Sequence, residues 1–224
     1  MAVVTGAAGT MGRAVMERLA RDQIRTVGID VKPSPGGIVC DIADAAAVNK
    51  TIGEIGAVDI LVNNAGILSN NKSEATSPEE WRKVLAANLD GAFYLAREVI
   101  PGMKARRWGR IVNTCSLAAK TGGLTAGTAY STSKGALTSL TFSLARELAA
   151  FGITVNGISP AYVRTPMVTE QLTEAQRQAV LAQIPVGRFC EPEEFAHVVR
   201  FLVAPLSGFI TGEIVDLNGG VIMD

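Results

Sequence analysis

Tyr130 and Lys134 lie four residues apart. On a helix that spacing puts both side chains on one face, where their polar ends share a pocket. An ammonium beside a phenol favours the phenolate, so Lys134 is expected to pull the Tyr130 pKa below its ordinary value of about 10. A phenol tuned in this way gives or takes a proton near neutral pH. Ser116 stands upstream, just after the apolar run Arg110-Ile-Val-Asn113, which reads as a strand. A hydroxyl at the C-terminal end of a strand, beside such a helix, is placed to hold a substrate oxygen. A Tyr-x-x-x-Lys spacing also arises by chance in many helices, so the elements that position the pair decide what it means.

The chain opens on a short apolar strand, 2–5, followed by Gly6-Ala-Ala-Gly9-Thr10-Met11-Gly12 and a helical pattern through Met16, Leu19 and Ala20. Strand, glycine-rich turn, helix is a phosphate-cradling order: glycines let backbone approach a pyrophosphate, and the helix start offers free N–H groups. A second strand, 26–30, ends in Asp30, near the spacing expected of an acid that binds the adenosine ribose hydroxyls. A carboxylate there repels a 2′-phosphate and so favours NAD over NADP; Lys32 close by works against this, and a strand-end aspartate also serves simply as a turn residue. A third strand, 37–40, precedes Asp41 and Ile42, where the acid is placed to accept from an adenine amino group. A helix is expected over 44–56. The buried strand 58–62 runs into Asn63-Asn64-Ala65-Gly66, small and amide residues suited to a close pass by a cofactor or to a plain strand-to-loop turn.

Ser77-Pro78-Glu79-Glu80 starts a helix that continues to about Met103, with a bend expected near 88–91. Asn88 is a polar residue in that apolar stretch: a capping or solvated amide, or a holder of water. Further on come a strand at 109–115, a long helix at 128–150 carrying Tyr130 and Lys134, and a strand at 153–159 ending at Pro160. Residues 166–190 break the rhythm, with a short amphipathic helix at 173–184. An insertion after a strand's C-terminal end is where a substrate lid would sit. A helix at 192–203 and a strand at 212–217 complete the chain.

Alternating strands and helices imply an α/β fold, a Rossmann-like doubly wound parallel sheet of about seven strands in a single domain spanning 1–224. Apolar residues make up 48% of the 224, enough for a sizeable core, and Lys plus Arg (21) balance Asp plus Glu (21). A net charge of zero argues against a nucleic-acid or membrane-surface role driven by bulk charge. No apolar run of the roughly 18 residues a membrane span needs is present, and no signal peptide is visible, so a cytoplasmic protein is expected. Cys40, Cys115 and Cys190 form no C-x-x-C pair and read as reduced thiols. His197 is the sole histidine; it sits in a helical pattern and reads as structural, and no metal site is expected.

Taken in order, Thr5-Gly-Ala-Ala-Gly-Thr-Met-Gly12, Asp30, Asp41, Asn63-Asn-Ala-Gly66, Asn88-Leu-x-Gly-x-Phe93, Ser116, Tyr130-Ser-Thr-Ser-Lys134, Pro160-x-x-x-x-Thr165 and Ile210-Thr-Gly212 resemble the short-chain dehydrogenase/reductase family over essentially the whole chain. The resemblance implies a catalytic tetrad at Asn88, Ser116, Tyr130 and Lys134. Ser116 would hold the substrate oxygen and Tyr130 would exchange the proton. Lys134 would lower the Tyr130 pKa and bind the nicotinamide ribose, and Asn88 would hold a relay water. The cofactor would lie on Gly6, Gly9, Thr10, Met11, Gly12, Asp30, Asp41, Ile42, Asn64, Ala65, Gly66, Tyr130, Lys134, Pro160, Val163 and Thr165, with Ile67 packing near the ring. A homotetramer or homodimer is also implied. Thr10 departs from the family pattern: it holds the place of the middle glycine, where its Cβ crowds the pyrophosphate unless its hydroxyl bonds it. Ala161 likewise replaces a usual glycine.

The leading expectation is an NAD-dependent oxidoreductase interconverting a secondary alcohol and a ketone, with a polyol, sugar-like alcohol or cyclic ketone as substrate. One alternative is a 3-oxoacyl-[acyl-carrier-protein] reductase-like enzyme, which normally prefers NADPH and against which Asp30 argues. A further alternative is a non-catalytic NAD-sensing protein; such proteins usually lose the Tyr or the Lys, and both are present here. The lid residues Met167, Val168, Leu172, Val180 and Ile184, with Glu170 and Arg177 beside them, point only to a neutral substrate.

Overall fold

Short apolar runs alternate with amphipathic helices, and each run becomes a strand of one sheet. The computed structural model describes residues 1–166, 170 and 173–223. The strands are β1 (Ala2–Thr5), β2 (Thr26–Asp30), β3 (Ile38–Val39), β4 (Ile60–Asn63), β5 (Gly109–Thr114), β6 (Ile153–Pro160) and β7 (Ile214–Leu217). They form a seven-stranded sheet in the order β3-β2-β1-β4-β5-β6-β7, with every neighbouring pair parallel. The chain winds outward from β1 to β3, then crosses back to β4 and winds the other way. That reversal opens a crevice beyond the C-terminal ends of β1 and β4.

Both faces of the sheet are covered, which is why the strands are nearly continuous in Val and Ile. Alternate residues go to opposite sides. Val3, Leu61, Ile111 and Val155 join one core cluster, and Val4, Val62, Val112 and Ile158 join the other. The first face is packed by α2 (Ala45–Ile55), α4 (Gly91–Arg106) and α6 (Thr128–Leu148), which supply Ile52, Leu95 and Leu148. The second is packed by α1 (Thr10–Arg21) and α8 (Pro192–Val203), which supply Leu19 and Phe195.

Helix α3 (Pro78–Leu85) begins as expected, with Ser77 capping the Glu80 N–H at 3.1 Å. The bend expected near 88–91 is a π-helical turn, Ala86–Asp90, between α3 and α4. Such turns insert one extra residue and redirect the side chains around it. A short helix α5 (Ala118–Thr121) follows β5 after a three-residue connection. Helix α7 (Glu174–Leu181) is capped at Thr173 by a capping box with Gln176. It is shorter at its C-terminal end than the expected 173–184. Val180, Ile184 and Phe189 form a small separate apolar cluster with Tyr162, Leu181 and Val221. Apolar residues of the expected lid thus pack on one another; Met167, Val168 and Leu172 lie outside the described residues. His197 is exposed on α8, and the three cysteines are free.

Candidate active site

The glycine turn is built by close backbone packing. A Cβ on Gly12 would stand 2.2 Å from the Gly6 carbonyl oxygen, and one on Gly6 (φ +66°) would stand 2.9 Å from Asn64 Nδ2. Thr5 and Asn64 lock the turn against the start of the β4 loop. Thr5 Oγ1 accepts from the Asn64 and Ala65 N–H groups, both at 3.0 Å, and Asn64 Nδ2 donates to the Thr5 carbonyl at 2.9 Å. Thr10 is the first residue of α1 and needs no left-handed φ, so a Cβ is tolerated there without backbone strain. A cradle too tight for side chains, opening onto the first N–H groups of a 12-residue helix, fits a pyrophosphate.

Asp30, the last residue of β2, comes to the same turn. Its Oδ2 accepts from the Ala8 N–H at 3.0 Å and its Oδ1 from the Lys32 N–H at 2.9 Å. Arg13 donates to the Ala8 carbonyl at 2.9 Å, so a guanidinium also borders this corner. Asp41 caps the Ala43 N–H at 2.9 Å on an exposed turn, while Ile42 is buried against Gly91 of α4. Ile42 thus serves the core between β3 and the π turn, a role its family-matched position did not suggest.

Beyond β4 and β5 the remaining residues converge. Lys134 is 3% exposed, and its Nζ donates to the Thr114 carbonyl at 2.7 Å. Gly66 lies against it: a Cβ there would stand 3.4 Å from Lys134 Nζ and 3.1 Å from Asn88 Oδ1. Asn88, at the centre of the π turn, is 1% exposed. Its Oδ1 accepts from the Ile67 N–H at 2.8 Å. Its Nδ2 donates to the Ile67 carbonyl at 3.0 Å and to Ser133 Oγ at 3.0 Å. Both amide hydrogens are therefore spent. The side chain clamps the β4 loop to α6, and a water could reach only the second lone pair of Oδ1 or the main-chain carbonyl. Ser116 is buried at the start of the β5–α5 connection, and Tyr130 in the first turn of α6 keeps part of its surface open.

The expected influence of Lys134 on Tyr130 is not what this arrangement produces. Burial pushes the Tyr130 phenol above its ordinary pKa and is the largest effect. The hydrogen bond with Ser116 pulls the other way, and the neighbouring Cys115 adds to the rise. Lys134 Nζ is turned to the Thr114 carbonyl and stands 5.8 Å from the Tyr130 ring centroid. The lysine itself pays for burial: desolvation lowers its pKa to about 8, with Cys115 working against that.

Pro160 ends β6, and its carbonyl accepts from the Leu117 N–H at 3.1 Å, tying the Ser116 connection to the β6 loop. Val163 is buried and pairs with Cys190 in an isolated parallel bridge, which draws the 160–165 loop toward the segment after α7; Thr165 lies just beyond. The structure thus gathers the glycine turn, Asp30, Asn64–Gly66, Ser116, Tyr130, Lys134 and Pro160 along one sheet edge. Sequence reasoning passed over Thr5 and Ser133 as individual site residues. Thr5 was visible as the hydroxyl that closes an apolar strand before the glycine turn. Ser133 had no signal apart from its neighbour Lys134. Among the described residues, no cluster of His, Cys, Asp or Glu could hold a metal ion, and no helix is long and apolar enough to cross a membrane.

A family model described as enoyl-(acyl carrier protein) reductase matches residues 6–222. A 3-oxoacyl-[acyl-carrier-protein] reductase, FabG, from Vibrio cholerae is 38% identical over 240 residues, covering 100% of this chain and 97% of its own length. The protein of that name from Escherichia coli K12 is 35% identical with the same coverage. That from Aquifex aeolicus is 36% identical over 241 residues, covering 99% of this chain and 96% of its own.

Proposed function

The chain belongs to the short-chain dehydrogenase/reductase family and is an NAD(P)-dependent oxidoreductase acting on a carbonyl/hydroxyl pair, and from that premise we propose that it reduces 3-oxoacyl thioesters to 3-hydroxyacyl thioesters. The observation that carries the reading is the convergence of Ser116, Tyr130 and Lys134 beside the glycine turn at the crevice of the sheet. The near full-length similarity to proteins named 3-oxoacyl-[acyl-carrier-protein] reductases supports this substrate over the polyols and sugar-like alcohols that the sequence first suggested.

In this reading Ser116 donates its hydroxyl hydrogen bond to the substrate carbonyl. Tyr130 gives its phenolic proton to that oxygen as the carbon becomes a hydroxylated centre, and takes it back in the reverse direction. A nicotinamide, when bound, would supply or accept the hydride. A phenol raised by burial is a proton donor at neutral pH, which suits reduction. Lys134 would release the Thr114 carbonyl to engage the cofactor ribose, and Asn88 keeps the Gly66–Ile67 backbone in place beside it. Residues 166–190 would close over the substrate within a single 1–224 domain.

Asp30 supports NAD, because its carboxylate sits at the glycine turn where a 2′-phosphate would meet it; Arg13 and Lys32 offset part of that repulsion. Replacing Asp30 with Ser should shift the ratio of NADP to NAD efficiency upward by about tenfold or more, equivalent to about 1.4 kcal/mol. An unchanged ratio would remove Asp30 as the determinant. The exposed Phe93 and Phe142 on α4 and α6 support a homodimer or homotetramer. The test of function is the rate of absorbance loss at 340 nm with a 3-oxoacyl thioester and each reduced cofactor, beside a polyol panel run with the oxidised ones. Turnover of polyols alone would refute the thioester reading.

A further inference from the structure

The loop over 122–127 joins α5, which follows Ser116, to α6, which carries Tyr130. It is unusually well held. Gly122 and Gly123 both take positive φ (+73° and +85°), and a Cβ on Gly123 would stand 2.3 Å from Ser131 Oγ, so the loop is pressed onto α6 one residue from Tyr130. At its far end the Gly127 N–H donates to the Ser69 carbonyl at 2.7 Å and the Thr128 N–H to the Asn71 carbonyl at 3.1 Å. Lys72, from the loop after β4, then crosses over. Its Nζ donates to the Gly123 carbonyl at 3.0 Å and to the Ala126 carbonyl at 2.7 Å. Ser69 and Asn71 are themselves bonded to the Glu80 carboxylate, Asn71 at 2.7 Å.

An ammonium spent on two neutral carbonyls brackets residues 124 and 125. Gly123, Ala126 and Gly127 are buried, whereas Leu124 is 54% exposed. A single exposed leucine is ordinary on a protein surface. A leucine held on a fixed tip, in the connection between the two hydroxyl-bearing segments of the site, is placed to meet whatever enters. We propose that Leu124 is a specificity-determining residue whose side chain packs on the alkyl chain of the substrate, and that Lys72 is the positioning residue that presents it. The inference rests on the thioester reading for the identity of that chain and deepens it, since it makes chain length a property read by this loop.

The test uses the N-acetylcysteamine thioesters of 3-oxobutanoate and 3-oxooctanoate, with KM and kcat measured separately and cofactor affinity followed by NADH fluorescence. Leu124→Ser should lower the eight-carbon to four-carbon ratio of kcat/KM by about five- to tenfold, the loss expected for part of a leucine's apolar contact. The change should fall on KM, with the NADH affinity kept. Lys72→Met should lower the same ratio, and Lys72→Arg should restore it. An unchanged ratio in an active Leu124→Ser protein overturns the proposal. If the natural protein turns over neither thioester but oxidises simple alcohols, the thioester reading fails. The same variants are then compared on 2-butanol and 2-octanol, where an unchanged ratio overturns the role of Leu124 independently.

Discussion

Asn88→Ala tests the clamp between the β4 loop and α6. The substitution leaves the Ile67 N–H and the Ile67 carbonyl without partners, since both are held by this one amide. Ser133 Oγ loses a donor but keeps its own bond to the Tyr130 carbonyl at 2.7 Å, so it is not orphaned. Two part-buried backbone groups at about 1–3 kcal/mol each give a loss of about 2–6 kcal/mol, with a water entering the vacancy favouring the lower end. For a chain of this size, about 2–4 °C per kcal/mol makes this a drop of about 4–24 °C in melting temperature. Asn88→Asp should do no better, because its second oxygen would face the Ile67 carbonyl where a donor now stands. The assay is thermal unfolding of the protein without cofactor, with urea unfolding as a check on the slope. A melting temperature within about 2 °C of the natural protein for Asn88→Ala would refute the clamp, since two orphaned, part-buried groups cost more than that.

Two further outcomes follow from the same geometry. Lys134 has a folded pKa of about 8, below its unfolded value, so between pH 8 and about 10.4 the unfolded chain holds more protons and stability rises with pH. Lys134→Met should flatten that rise and stabilise the cofactor-free protein near pH 7 by about 2 kcal/mol, the desolvation relieved less the bond to Thr114; urea midpoints across pH 7–10 that stay parallel for the two proteins would contradict this. Gly12→Ala puts a Cβ 2.2 Å from a backbone oxygen that cannot rotate away. The turn must shift, at a cost of about 1–3 kcal/mol in stability, and NADH affinity falls with it; fluorescence titration showing natural affinity would remove Gly12 from the cradle.

Much of the fold was legible because its signals are local and repeated. The apolar runs at 2–5, 58–62 and 153–159 are too short for helices and are separated by helical patterns, which leaves a parallel sheet as the economical arrangement. The ends of α3 and α8 were legible from Ser77-Pro78 and Pro192, residues that start helices for backbone reasons. Helix α5 was missed because four residues carry no periodicity. In the site, the residue types and their shared edge were legible, but their states were not. That Lys134 turns to Thr114, and that burial governs Tyr130, depends on contacts from β5 and Gly66 that spacing along α6 cannot reveal. Asn88 is a similar case: its polarity was visible, but its partner Ile67 comes from another element across a π turn. The substrate was the least legible part, because Val180 and Ile184 of the expected lid satisfy their apolar surface against Phe189 and one another.

The most direct measurement is the single-turnover reduction of 3-oxobutanoyl-N-acetylcysteamine by Tyr130→Phe and by the natural protein, with cofactor binding measured on both. The account predicts that NADH or NADPH binds the variant with affinity within about threefold of the natural protein, about 0.7 kcal/mol, while hydride transfer slows by at least the hundredfold expected when a positioned proton donor is removed. Turnover at the natural rate in Tyr130→Phe would contradict it, because the proton would then have to come from another group.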